Sequence, residues 1–120
     1  MEKRVLFITT YKARDFHGNA LVGYYLKSKF NIDSFFIHGY GVEKEVLRIK
    51  PSVLVMDHLV WDHKKKLAKW ASSIGVRVVL LFTEGYYKDI TSFDKIFGHP
   101  NASELGVTAY CVWNERMIKR

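Results

Sequence analysis

Arg4-Val5-Leu6-Phe7-Ile8-Thr9-Thr10 is an apolar run that breaks into a polar tip, and Gly18–Lys29 follows it with Leu21, Val22, Tyr25 and Leu26 on one helical stripe. A buried strand followed by an amphipathic helix is the building unit of a parallel sheet, because parallel strands need a crossover connection. The unit then repeats. Ile32–Ile37 is a second strand closed by His38-Gly39-Tyr40-Gly41, and Val42, Val46 and Ile49 recur behind it at helical spacing. Pro51 stops that helix, Val53–Met56 forms a third strand ending at Asp57, and Leu67, Trp70, Ala71 and Ile74 mark the inner face of a third helix. Gly75 is placed as a helix C-cap before Val76–Phe82, whose β-branched and hydrophobic character predicts a central strand. A short helix is placed around Tyr87–Ser92, Asp94–Gly98 and Val107–Val112 read as two further strands joined by Asn101–Leu105, and Trp113–Arg120 begins a last helix.

This alternation predicts an α/β domain: a three-layer, Rossmann-like, doubly wound parallel sheet with right-handed crossovers and strand order 3-2-1-4-5-6. No repeat, low-complexity tract or linker divides residues 1–120, so one domain is expected. Open parallel sheets bind ligands outside the carboxyl ends of their strands, where the strand order reverses. The expected reversal lies between strands one and four, and the crevice is expected to be walled by the loops after Thr10 and Thr83.

Composition narrows the partners. With 48% of 120 residues apolar, the chain is able to bury a core as one compact domain. Nineteen Lys and Arg against twelve Asp and Glu give a net charge of +7, which favours an anionic partner unless the charge is simply solvated surface. Cys111 is the only cysteine, which excludes an intrachain disulfide and four-thiolate metal sites and fits a reducing compartment. Met1-Glu2-Lys3-Arg4 leads straight into the first strand without a secretory h-region, and no apolar run is long enough to span a bilayer. A soluble cytoplasmic protein is therefore expected.

Candidate chemistry gathers in the polar strand tips Thr9–Asn19, Asp57–His63, Thr83–Gly85 and Gly98–Asn101. The loop Tyr11–Asn19 leads from a strand into a helix amino terminus and holds cation, carboxylate, imidazole and amide together. His17 is the candidate general base and Asp15 the alternative carboxylate, with Asp57 or Glu84 to orient the imidazole. Arg14, with Lys12, would neutralise an anionic ligand, while Gly18 and Asn19 would offer helix-start amides. The bland alternatives are that Asp15 caps the helix and His17 is exposed loop.

There is no GxGxxG after the first strand and no GxxxxGK[ST], so no dinucleotide or ATP cradle is expected and no cofactor is assigned. Asp57-His58-Leu59-Val60-Trp61-Asp62-His63 brings two imidazoles and two carboxylates to the end of strand three, but the spacing matches no metal frame. Asp57, His58, Thr83, Glu84 and His99 are retained as ligand contacts, His99 only if the loops converge. His63-Lys64-Lys65-Lys66 reads as a solvated helix start, since Leu67, Trp70 and Ala71 continue the core face just beyond it. Nucleic acid is not the expected partner, because nothing places these lysines on one face with Lys12, Arg14 and Lys88. Tyr11, Phe16, Trp61, Tyr86 and Tyr87 sit in or beside the same tips, where rings either stack on a ligand or close the core edge.

Four stretches carry a family resemblance: Gly18–Leu26, Lys50–Met56, Gly75–Gly85 and Tyr110-Cys111-Val112-Trp113-Asn114-Glu115. Together they look like the amino-terminal domain of bacterial surface-carbohydrate biosynthesis proteins with a glycosyltransferase-B fold. The resemblance implies a Rossmann-like, acceptor-binding half facing a second domain or subunit that grips a nucleotide-sugar donor. It implies a carbohydrate or other anionic acceptor as partner, and His17 stands where several such transferases carry their base. A chain ending at Arg120 is then expected to be a fragment, a partner-dependent subunit or a non-catalytic relative, and activity alone stays open.

Two other resemblances compete. Asp57 at the end of strand three, Thr83 at the end of strand four and His99-Pro100 resemble a phosphoacceptor receiver domain, which implies a receiver-like signalling role. Receivers hold Mg²⁺ with acidic residues after strand one, where this chain has Thr9-Thr10, so the likeness is to a degenerate receiver. Asp15-Phe16-His17-Gly18-Asn19-Ala20 partly resembles the DxHxxG of cobalamin-binding modules, with Ala20 in place of the final glycine.

Overall fold

The computed structural model describes residues 3–9, 17–57, 62–81 and 106–111. Its elements run β1 (Arg4–Ile8), α1 (His17–Phe30), β2 (Asp33–Ile37), α2 (Val42–Ile49), β3 (Val53–Met56), α3 (Asp62–Ser73), β4 (Arg77–Leu81) and β5 (Val107–Cys111). Every strand pairing is parallel, and the sheet order is β2-β1-β3-β4-β5. Helices α2 and α3 pack with Leu6, Ile8, Leu54, Met56, Val78 and Leu80 on one face. Leu26 of α1 packs with Val5, Phe7 and Val55 on the other. The expected parallel α/β architecture with helices on both faces is therefore present.

The expected order 3-2-1-4-5-6 is corrected. Strand β1 lies between β2 and β3, and the free edge of β4 is taken by Val107–Cys111 rather than by a strand at Asp94–Gly98. Residues 82–105 and 112–120, with the helices placed at Tyr87–Ser92 and Trp113–Arg120, lie outside the described residues. Burial explains the true order. Leu6, Phe7 and Ile8 of β1 and Leu54 and Met56 of β3 are enclosed, whereas the Asp33-Ser34-Phe35-Phe36-Ile37 edge strand is partly open along its length. Strand β4 lies inside the sheet, between β3 and β5, as its composition predicts, with Val78 and Leu80 buried and Val79 and Leu81 partly open. The apolar β2 nevertheless lies at the edge, because composition reports a fit to a pleated surface, not a place in the sheet.

The helices divide in the same way between expectation and correction. Val42, Val46 and Ile49 are buried as the spacing predicts, and Lys50 closes α2 in the left-handed region with φ 55°. Gly75, at φ 90°, ends α3 as expected: its N–H donates to Ser72 O at 3.1 Å, and Val76 N–H donates to Ala71 O at 3.0 Å. Those two bonds form a Schellman motif, satisfying carbonyls that the helix end would otherwise leave open. The inner face of α3 is Lys64, Leu67, Ala68 and Ala71, with Trp70 half-buried and Ile74 exposed.

The inner face of α1 is only partly the predicted one: Leu26 packs on the sheet, but Leu21, Val22 and Tyr25 are 60%, 37% and 53% exposed, and Asn19 and Gly23 face inward instead. A Cβ on Gly23 would lie 2.9 Å from Phe36 Cζ and 3.2 Å from Ser34 Oγ, so the missing side chain lets α1 approach β2 closely. That approach turns the large apolar residues outward.

Candidate functional site

In a parallel sheet all strands deliver their carboxyl ends to one edge, and connections that leave β1 for β2 and return to β3 part between those two strands. The switch point of this sheet is therefore the β1/β3 junction, not the β1/β4 junction expected from sequence. Thr9 follows β1 there and Asp57 follows β3. Thr9 N–H and its Oγ1 hydroxyl both donate to Ile37 O, at 2.9 and 3.1 Å, which extends the β1–β2 ladder by one residue.

Asp57 is the best-defined functional group at this point. It is 6% exposed and meets Lys64, 5% exposed, through a Nζ–Oδ1 contact of 2.5 Å. Lys64 reaches it because residues 64, 67, 68 and 71 share one helical stripe, so the lysine continues the line of Leu67, Ala68 and Ala71 toward the sheet. A cation in the first turn of a helix opposes the helix dipole, and burying an ammonium is costly without a counter-charge. The Asp57 carboxylate supplies that counter-charge. The expectation of a solvated Lys64 is corrected, while Lys66 and His63 on the same turn are exposed as expected. The signal available in sequence was the 64-67-68-71 stripe with an aspartate seven residues upstream of the lysine.

The other expected residues distribute as follows. His17 opens α1, and its side chain lies outside what the structure describes. Gly18 is exposed, and a Cβ there would meet nothing within 4 Å among the described residues. Asn19 is 3% exposed and turned inward, and its Oδ1 has no hydrogen-bond partner among the described residues. Arg14, Asp15, His58, Thr83, Glu84 and His99 lie outside the described residues. Among the described residues, no three His, Cys, Asp or Glu side chains converge as metal ligands. No helix among them is long and apolar enough to cross a membrane.

No protein-family model and no curated protein matches the chain. Solved structures do. A two-component response regulator from Clostridium difficile superposes with a TM-score of 0.57 at 16% identity, covering 98% of this chain and 90% of that one. The N-terminal domain of the nisin resistance regulator NsrR, a lantibiotic response regulator, superposes with a TM-score of 0.58 at 10% identity, covering 99% and 93%. At these identities the likeness is one of fold. It overturns the glycosyltransferase-B assignment, and with it the acceptor-binding role, the carbohydrate acceptor and the second transferase domain expected as partners. The described parts of the four stretches that carried that assignment fall in α1, β3, β4 and β5 of this fold.

Proposed function

We propose that this chain is a receiver-like signalling domain that works without phosphoryl transfer to Asp57. The observation that carries the reading is the place of Asp57, at the carboxyl end of β3 and on the switch point of a β2-β1-β3-β4-β5 sheet. The near full-length likeness to response-regulator structures supports it. Partners of such a domain are other signalling proteins, met through surface contact, and its expected location is the cytoplasm. In receivers Mg²⁺ is held by carboxylates after the first strand together with the phosphoacceptor aspartate. This chain does not fit that ion: Thr9-Thr10 follow β1, the Thr9 hydroxyl is turned to Ile37 O, and Asp57 faces the Lys64 ammonium. A hydroxyl is a weak substitute for the hard, charged oxygen donors that Mg²⁺ selects.

Incubating the protein with acetyl phosphate and Mg²⁺, followed by intact mass measurement, tests this directly. The expected result is an unchanged mass. A hydroxylamine-labile phosphoryl adduct mapped to Asp57 would restore ordinary receiver chemistry and reject the reading.

A further inference from the structure

We infer that Lys64 is a tethered counter-ion: an ammonium carried by α3 that neutralises Asp57 at the switch point and makes the crevice independent of any divalent cation. The inference rests on the receiver-like reading for its functional meaning, but its geometry stands alone. Lys64 Nζ lies 2.5 Å from Asp57 Oδ1, and both side chains are nearly sealed from solvent, at 6% and 4% exposure. Of the three consecutive lysines, only Lys64 is buried. Asp62, His63 and Lys66 are exposed and Lys65 is half-buried, so full burial in this turn falls on position 64.

Three physical consequences follow from a counter-ion that is part of the chain. First, its effective concentration at Asp57 is fixed by the fold, so a dissolved cation must displace a group that cannot diffuse away. Second, the ammonium already engages the Asp57 Oδ1 that a divalent cation would need as a ligand, so the two compete for the same carboxylate oxygen. Third, the pair ties the start of α3 to the end of β3. In a protein governed by this latch, movement of the α3 amino terminus, rather than metal or phosphoryl binding, uncovers Asp57.

Thermal melts of the full chain test the inference, using wild type, Asp57→Asn, Lys64→Met and the Asp57→Asn/Lys64→Met double variant. Each is measured with Mg²⁺ and with NaCl at matched ionic strength. Breaking a buried pair from one side strands the other charge, so each single variant is expected to lose about 10 °C or more. The double variant, which removes both charges of the pair, is expected to melt well above the value that the summed single losses predict. Wild type is expected to show the same midpoint in both salts. A single variant that fails to fold beside a folded double variant is the same result in its extreme form. Strictly additive losses, or a wild-type midpoint raised several degrees by Mg²⁺ alone, would overturn the tethered counter-ion. Additive losses would leave the receiver-like reading standing, whereas a phosphoryl adduct on Asp57 alongside strong coupling would reject phosphoryl-free signalling and keep the latch.

Discussion

Gly106 shows how one atom fixes the junction between α3 and β5. It adopts φ 84°, and a Cβ built there would overlap the Ser72 side chain of α3. Two costs add at this position, because the left-handed conformation disfavours any Cβ and the space is already filled. Gly106→Ala is expected to destabilise by about 2 kcal/mol or more in urea unfolding, from strain and overlap together. Adding Ser72→Gly should recover only part of the loss, since it clears the overlap and leaves the backbone strain. Full recovery would show that φ contributes nothing. Lys64 belongs to the same class of residue whose role depends on one neighbour, yet the two differ in legibility. A glycine's need for a left-handed turn has no partner visible in sequence, whereas Lys64 extends an apolar stripe that sequence already displays.

Among the elements, α2 and α1 mark the two limits of what hydrophobic periodicity reveals. In α2 the apolar residues Val42, Val46 and Ile49 form one buried stripe, and the rest of the helix is Glu43, Lys44, Glu45 and Arg48 apart from the exposed Leu47. In α1 apolar residues occur all round the helix, and the buried side holds Gly23, where the absence of a side chain lets the helix approach Phe36 and Ser34 of β2. Periodicity cannot report a close approach, because its signal is the absence of atoms. The consequence is measurable by urea denaturation. Tyr24→Gln, on the outward face, is expected to change stability by less than about 0.5 kcal/mol. Gly23→Leu, facing Phe36 and Ser34, is expected to cost about 1–3 kcal/mol by forcing α1 off β2. The reverse ranking would show that α1 packs on the face that its large residues suggest. Strand order was hidden for a related reason: Phe35 and Phe36 give β2 an interior composition, although β2 is an edge strand whose outer side has no sheet partner among the described residues.

For the whole molecule, the parallel architecture and the rim of strand ends were legible, because alternating strand and helix patterns leave few topologies once right-handed crossovers are required. The switch point was not, since its place depends on which side of β1 the third strand enters, and no local residue pattern records that choice. Moving the reversal from β4 to β3 places Asp57 at the switch point itself. The likeness to response-regulator structures removes the transferase reading, and the proposed account places an internal ion pair at the switch point of that fold. Amide chemical shifts of the ¹⁵N-labelled protein, recorded as Mg²⁺ and beryllofluoride, a phosphoryl mimic, are added together, report on that crevice without requiring covalent turnover. The account predicts that the amides of Thr9, Met56, Asp57 and Lys64 stay where they are. Saturable shifts at those amides, lost in Asp57→Asn, would contradict it.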